Sequence, residues 1–235
     1  MEVVFDKIRY NEEFGEMIVL GFDKHVNVTN IMDLFIPDTV QNKPVTRIAM
    51  RAFCNTNIVT ASLPVGLSEI GNYCFADCEK LKVVNIGDIE EDNLPYMLTI
   101  RAFAFANCPN LSTFDAWSRT TYVERFAFRD CVALLFADMC IRYLEPGAFK
   151  NCHNLQKLSL EEDSVLYDDS LQDCGVTGLC AIRNAKFSEL TLEYILQHNI
   201  KISCIHDSPL LDLVYNGFLV ETYSAEEEKS ILGIF

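Results

Sequence analysis

The chain has 235 residues, half of them hydrophobic and 23% charged, which is ample apolar surface for one continuous folded body and excludes a disordered one. Asp and Glu outnumber Lys and Arg by 34 to 19, a formal charge of −15, and no basic run of five or more breaks that excess, which excludes nucleic acid and anionic membranes as natural partners. No apolar run approaches the roughly 18 residues that span a bilayer, and Met1 to Lys7 carry acids where an export signal carries a basic and then an apolar segment, so the expected address is cytoplasmic, with no membrane insertion.

In chain order, residues 1–34 hold three strand-like runs, Val3-Val4-Phe5, Ile8-Arg9-Tyr10 and Met17 to Phe22, parted by polar turns; they are expected to form a strand-rich cap. A pattern then recurs, aliphatic-x4-Phe-x2-Cys-x2-Leu. Its complete copies are Ile70, Phe75, Cys78, Leu81; Ile100, Phe105, Cys108, Leu111; Val123, Phe128, Cys131, Leu134; and Leu144, Phe149, Cys152, Leu155. Shortened copies flank them: Ile48, Phe53, Thr56, Ile58 before, and Leu166, Leu171, Cys174, Val176 after. The Phe position advances by 22, 30, 23, 21 and 22 residues, and the long interval contains an acidic insertion, residues 87–95, expected to be a loop extruded from one turn. After each Leu, as in Leu81 to Ile86 and Leu155 to Leu160, apolar residues alternate with polar ones, the mark of a short half-buried strand.

One L-x-x-L-x-L strand in every 20 to 29 residues predicts a β-rich α/β leucine-rich-repeat solenoid. Parallel strands line its concave sheet, turns and 3-10 or helical bends form its convex side, and caps close its ends. A unit of this size cannot enclose its own Leu, Ile and Phe, so each turn must shield its neighbour. Six repeats are expected over 35–182 and a C-terminal α+β cap over 183–235. Within that cap, Ser188 to Asn199 reads as a helix, Asn216-Gly217 as a hairpin turn between two apolar runs, and Ser224 to Leu232 as a final helix.

The outer half of each repeat is more particular. Ser62-Leu63-Pro64-Val65-Gly66-Leu67-Ser68-Glu69-Ile70-Gly71-Asn72-Tyr73-Cys74-Phe75-Ala76-Asp77-Cys78-Glu79-Lys80-Leu81, and the lead-in from Phe35 to Ile48, resemble the BspA-like (Treponema-type) leucine-rich repeat family over about residues 35–182. The resemblance implies the solenoid fold. It also implies kinship with surface proteins and adhesins of bacteria and parasitic protists, which bind host proteins.

Ten cysteines invite a search for chemistry. The ladder Cys78, Cys108, Cys131, Cys152 and Cys174 reads as buried structural thiols, because equivalent side chains in a stack point the same way and a straight row cannot make a tetrahedral metal site. Cys140 and Cys180 fall in outward phase and are the expected reactive thiols, which leaves a redox-responsive protein as an alternative function. The four histidines are scattered, and no phosphate loop, HExxH or paired CxxC is present, so neither an enzyme nor a cofactor is expected.

Side chains that period-2 phase turns away from the core are Thr60 and Ser62; Val83 and Asn85; Thr113, Asp115 and Trp117; Phe136, Asp138 and Cys140; and Lys157, Ser159 and Glu161. Of these, Val83, Asn85, Thr113, Asp115, Trp117, Phe136, Asp138, Lys157 and Ser159 are the expected contacts of a protein or peptide partner on the concave face. Phe136 and the single Trp stand beside Asp115 and Asp138, an aromatic-plus-acidic mixture that suits a partner with a basic patch. A self-associating structural module is a third reading.

Overall fold

The computed structural model describes residues 2–87, 97–181, 185–187, 189–205 and 220–223. The acidic insertion beyond Gly87, the Asn216-Gly217 turn and the helix expected from Ser224 to Leu232 lie outside the described residues.

An antiparallel meander, β1 (Glu2–Phe5), β2 (Ile8–Glu13) and β3 (Glu16–Phe22), begins the chain. A 3-10 turn, Val28–Asn30, leads into β4 (Asp33–Phe35), and β5 (Thr39–Val40) folds back on β6 (Lys43–Ile48). The solenoid proper follows with β7 (Thr60–Leu63), β8 (Glu69–Ile70), β9 (Val83–Ile86), β10 (Met97–Ile100), β11 (Thr113–Val123), β12 (Phe136–Leu144) and β13 (Lys157–Leu166). It ends in β14 (Gly178–Ala181), β15 (Lys186–Phe187), helix α1 (Glu189–Gln197), β16 (Lys201–Ile205) and β17 (Val220–Tyr223).

About seven turns stack. The expected concave sheet is the parallel ladder β4–β7–β9–β11–β12–β13–β14–β16–β17. A second parallel ladder, β3–β6–β8–β10–β11–β12–β13–β15, runs along the adjoining side of each turn. The sequence pattern predicts one strand per turn; the second passes unseen because strands as short as Glu69–Ile70 show no alternation. Long β11, β12 and β13 cross from one ladder to the other, with register shifts at the corner in β11 and β12. On the convex side, described bends are tight turns closed by i→i+3 bonds, such as Cys74 N–H to Gly71 O and Ala104 N–H to Arg101 O.

Inside, the Phe position forms one column. Ring centroids of Phe53, Phe75, Phe105, Phe128 and Phe149 follow one another at 5.3, 5.2, 5.1 and 5.1 Å, each pair stacked, and Phe22 meets Phe53 edge-on at 5.0 Å. That spacing is close to the strand separation of about 4.8 Å, and backbone bonds from each ring's residue to the following turn maintain it, as Phe75 N–H to Ala104 O and Phe105 N–H to Ala127 O, both 2.7 Å. Gly21 sits where β3 passes this column: its φ is +111° and a Cβ there would lie 2.2 Å from the Ala52 carbonyl oxygen, so no other residue fits.

Beside the rings, four ladder thiols donate to the Phe carbonyl of the turn before, Cys78 to Phe53 at 3.1 Å, Cys108 to Phe75 at 3.1 Å, Cys131 to Phe105 at 3.1 Å and Cys152 to Phe128 at 3.0 Å, whereas Cys174 donates to Leu171 O of its own turn at 2.9 Å. A buried thiol thus finds an acceptor while filling a small site. Just before it, Asn55, Asp77, Asn107, Asp130, Asn151 and Asp173 all adopt left-handed φ between 54° and 63°, the region short polar side chains tolerate best.

Candidate functional site

Strand register places most of the expected contact residues in two rows on the concave ladder. Asp33, Thr60, Val83, Thr113 and Phe136 are successive partners along one row; Phe35, Ser62, Asn85, Asp115 and Asp138 are partners along the next. Between the rows, Leu34, Ala61, Val84 and Phe114 turn inward and are buried. Alternation therefore holds on β4, β7 and β9 and through the first residues of β11.

Two phenylalanines project from this surface, Phe136 and Phe35, each 66% exposed. Asp138 is exposed beside Phe136, while Val83, Thr113 and Asp115 are half-buried and Asn85 is exposed. A groove of about 350 Å³ opens next to Phe35, lined by Asp38, Ser62, Asn85 and Asp115 among others. Asp33 Oδ1 accepts a 2.6 Å bond from the Thr60 hydroxyl, which fixes the acidic end of the first row. The side chain of Trp117 lies outside what the structure describes.

Lys157 and Ser159 lie on β13, the next strand beyond these rows. β12 pairs with β13 through Cys140 and Ser159, and Ser159 in turn faces Cys180; Lys157 faces Gly178, which faces Lys201. The face thus changes sign along its length, acids around β11 and β12 and exposed lysines on β13 and β16.

Cys140 does not behave as its phase predicts. Met139, Cys140 and Ile141 are buried in succession, because β12 turns the corner between the two ladders there and alternation lapses. With 8% of its surface exposed, the Cys140 thiol is pushed up to about 12 by burial, helped by Glu161 and Asp138, so it is a poor nucleophile at neutral pH. Cys180 is half-buried.

Phe35 is the residue that sequence reasoning missed. Its strand has three residues, too few to show a period, yet aligning Pro37 with Pro64 sets Phe35 opposite Ser62, as found. On the second ladder, Arg101 bridges Glu69, at 2.6 and 3.1 Å, and Glu124, at 2.7 Å; its charge is held by hydrogen bonds to Glu124 and Glu69, which raise its pKa. No described helix is long and apolar enough to cross a membrane.

Two parallel ladders, a phenylalanine column and one thiol per turn define a leucine-rich-repeat solenoid. Residues 24–98 and 88–188 match the BspA type Leucine rich repeat region in six copies, well over half of the chain, and the protein belongs to that family. Its fold is similar to that of a leucine rich cell surface protein from Faecalibacterium prausnitzii, with a TM-score of 0.62 and 20% identity over 80% of this chain and 50% of that one. A leucine-rich repeat protein from Eubacterium ventriosum is similar at TM-score 0.50 and 18% identity, over 75% of this chain and 50% of that one. The chain therefore spans about half the length of each. None of the curated proteins matches its sequence.

Proposed function

We propose that this protein is a non-enzymatic interaction scaffold that holds a protein or peptide partner on its concave strands, through Val83, Asn85, Thr113, Asp115, Trp117, Phe136 and Asp138, with Lys157 and Ser159 at the far end. One observation carries the reading: Phe136 stands two-thirds exposed on a ladder whose inward positions Leu34, Ala61, Val84 and Phe114 are buried, with Asp138 two residues along. A rigid aromatic anchor loses little conformational entropy on binding, and acids beside it favour a basic partner surface. The nine cysteines whose side chains are described are free, which suits a reducing compartment and supports the cytoplasmic address. The similar F. prausnitzii protein is described as a cell surface protein, which makes surface display the competing address.

Capture with the purified chain, followed by mass-spectrometric identification and a repeat with the recombinant partner, tests this. Phe136→Ala should weaken partner binding by about tenfold or more while leaving the melting temperature unchanged. A partner held equally by the variant would contradict the concave-face assignment.

A further inference from the structure

Phe35 and Phe136 project from one sheet, and the strand pairings fix how they stand to each other. Four strand-to-strand steps of about 4.8 Å separate β4 from β12, and Phe136 lies two residues, about 6.7 Å, from the position in line with Phe35, so the two anchors are about 20 Å apart on a diagonal. The ground between them runs by Ser62, between Val83 and Asn85, then between Thr113 and Asp115, with Asp138 beside Phe136. Lys157 and Lys201 lie beyond Phe136, on β13 and β16.

An extended chain advances about 3.4 Å per residue and turns every second side chain to the same face. Six residues cover the diagonal, and because six is even, side chains at i and i+6 both point down. Counted from the Phe35 end, the side chain at i+4 descends about 13 Å along, over Thr113 and Asp115, with Asp138 on the next strand. A helix rising about 1.5 Å per residue would need about thirteen residues between the same anchors.

We propose that the concave face takes an extended peptide segment laid across the strands, with apolar side chains six residues apart against Phe35 and Phe136 and an arginine or lysine two residues before the Phe136 anchor. The inference rests on the concave-face reading above and adds Phe35, a spacing and a charge position to it. The groove beside Phe35 accommodates one anchor, and the two carboxylates supply the complementary charge for the basic residue.

The probe is a fluorescein-labelled peptide with phenylalanine at its second and eighth positions, arginine at its sixth and serine elsewhere, titrated by anisotropy against the full chain. It should bind, and moving the eighth-position phenylalanine to the fifth should weaken binding by about tenfold or more. Phe35→Ala and Phe136→Ala should each cost about tenfold with unchanged melting temperature, and Asp115→Asn should reduce the salt dependence. Absent binding, equal binding of both spacings, or indifference to Phe35→Ala overturns the proposal. If Phe136→Ala still loses a protein partner while Phe35→Ala does not, the concave reading survives and the spanning peptide falls; if neither variant matters, both fall.

Discussion

Along the phenylalanine column the side chain repeats from turn to turn and the rings keep a separation of 5.1 to 5.3 Å. Along the concave row a few residues away, the side chain changes at every step: Phe35, Ser62, Asn85, Asp115, Asp138. Both rows ride on the same turns. The buried one is constrained to side chains that stack on copies of themselves, because each turn buries its neighbour. The exposed one is under no such constraint, so variation there costs the fold little and is free to encode a partner.

If that contrast is right, interior truncation should do the most damage. Phe105→Ala removes a ring that packs on Phe75 and Phe128 and meets the edge of Phe114, and should lower unfolding free energy by about 3 to 5 kcal/mol in chemical denaturation. A loss below about 1 kcal/mol would show that the column is ornament.

A smaller effect should come from the thiols. Cys131→Ala loses packing and strands the Phe105 carbonyl, for about 1 to 3 kcal/mol, whereas Cys131→Ser keeps a donor and should fall nearer the parent. Equal losses would mean that the sulfur contributes volume alone.

The third effect is one of pH. Burial raises Cys131, Cys140, Cys152 and Cys174 above the ordinary thiol value, Cys140 to about 12, so the folded chain keeps protons that the unfolded chain loses from about pH 8.5 upward. Their contribution to stability is complete below that pH and is lost as pH rises through the folded values. Each thiol should steepen the alkaline decline by up to about 1.4 kcal/mol per pH unit, read from denaturation midpoints between pH 8 and pH 11. A flat profile would place the thiols in contact with water.

Much of the fold is legible in the sequence because large, rare side chains mark it: Phe75, Phe105, Phe128 and Phe149 with their cysteines cannot recur at such intervals without stacking. The left-handed Asn and Asp positions were equally readable, since every unit spells Phe or Leu, any residue, Asn or Asp, then Cys or Thr. What escaped was short or bent. Glu69–Ile70 is too brief to show a period, Phe35 sits on a strand of three residues, and Cys140 lies where β12 turns a corner and the outward phase of Phe136 and Asp138 no longer holds.

Thermal unfolding of Phe105→Ala beside Phe136→Ala is the most direct test of the division between a repeated interior and a variable face. The interior variant should melt about 10 °C below the parent, and the concave variant within about 1 °C of it. Comparable losses in the two would mean that Phe136 is part of the packing and that the concave row carries no message separate from the fold.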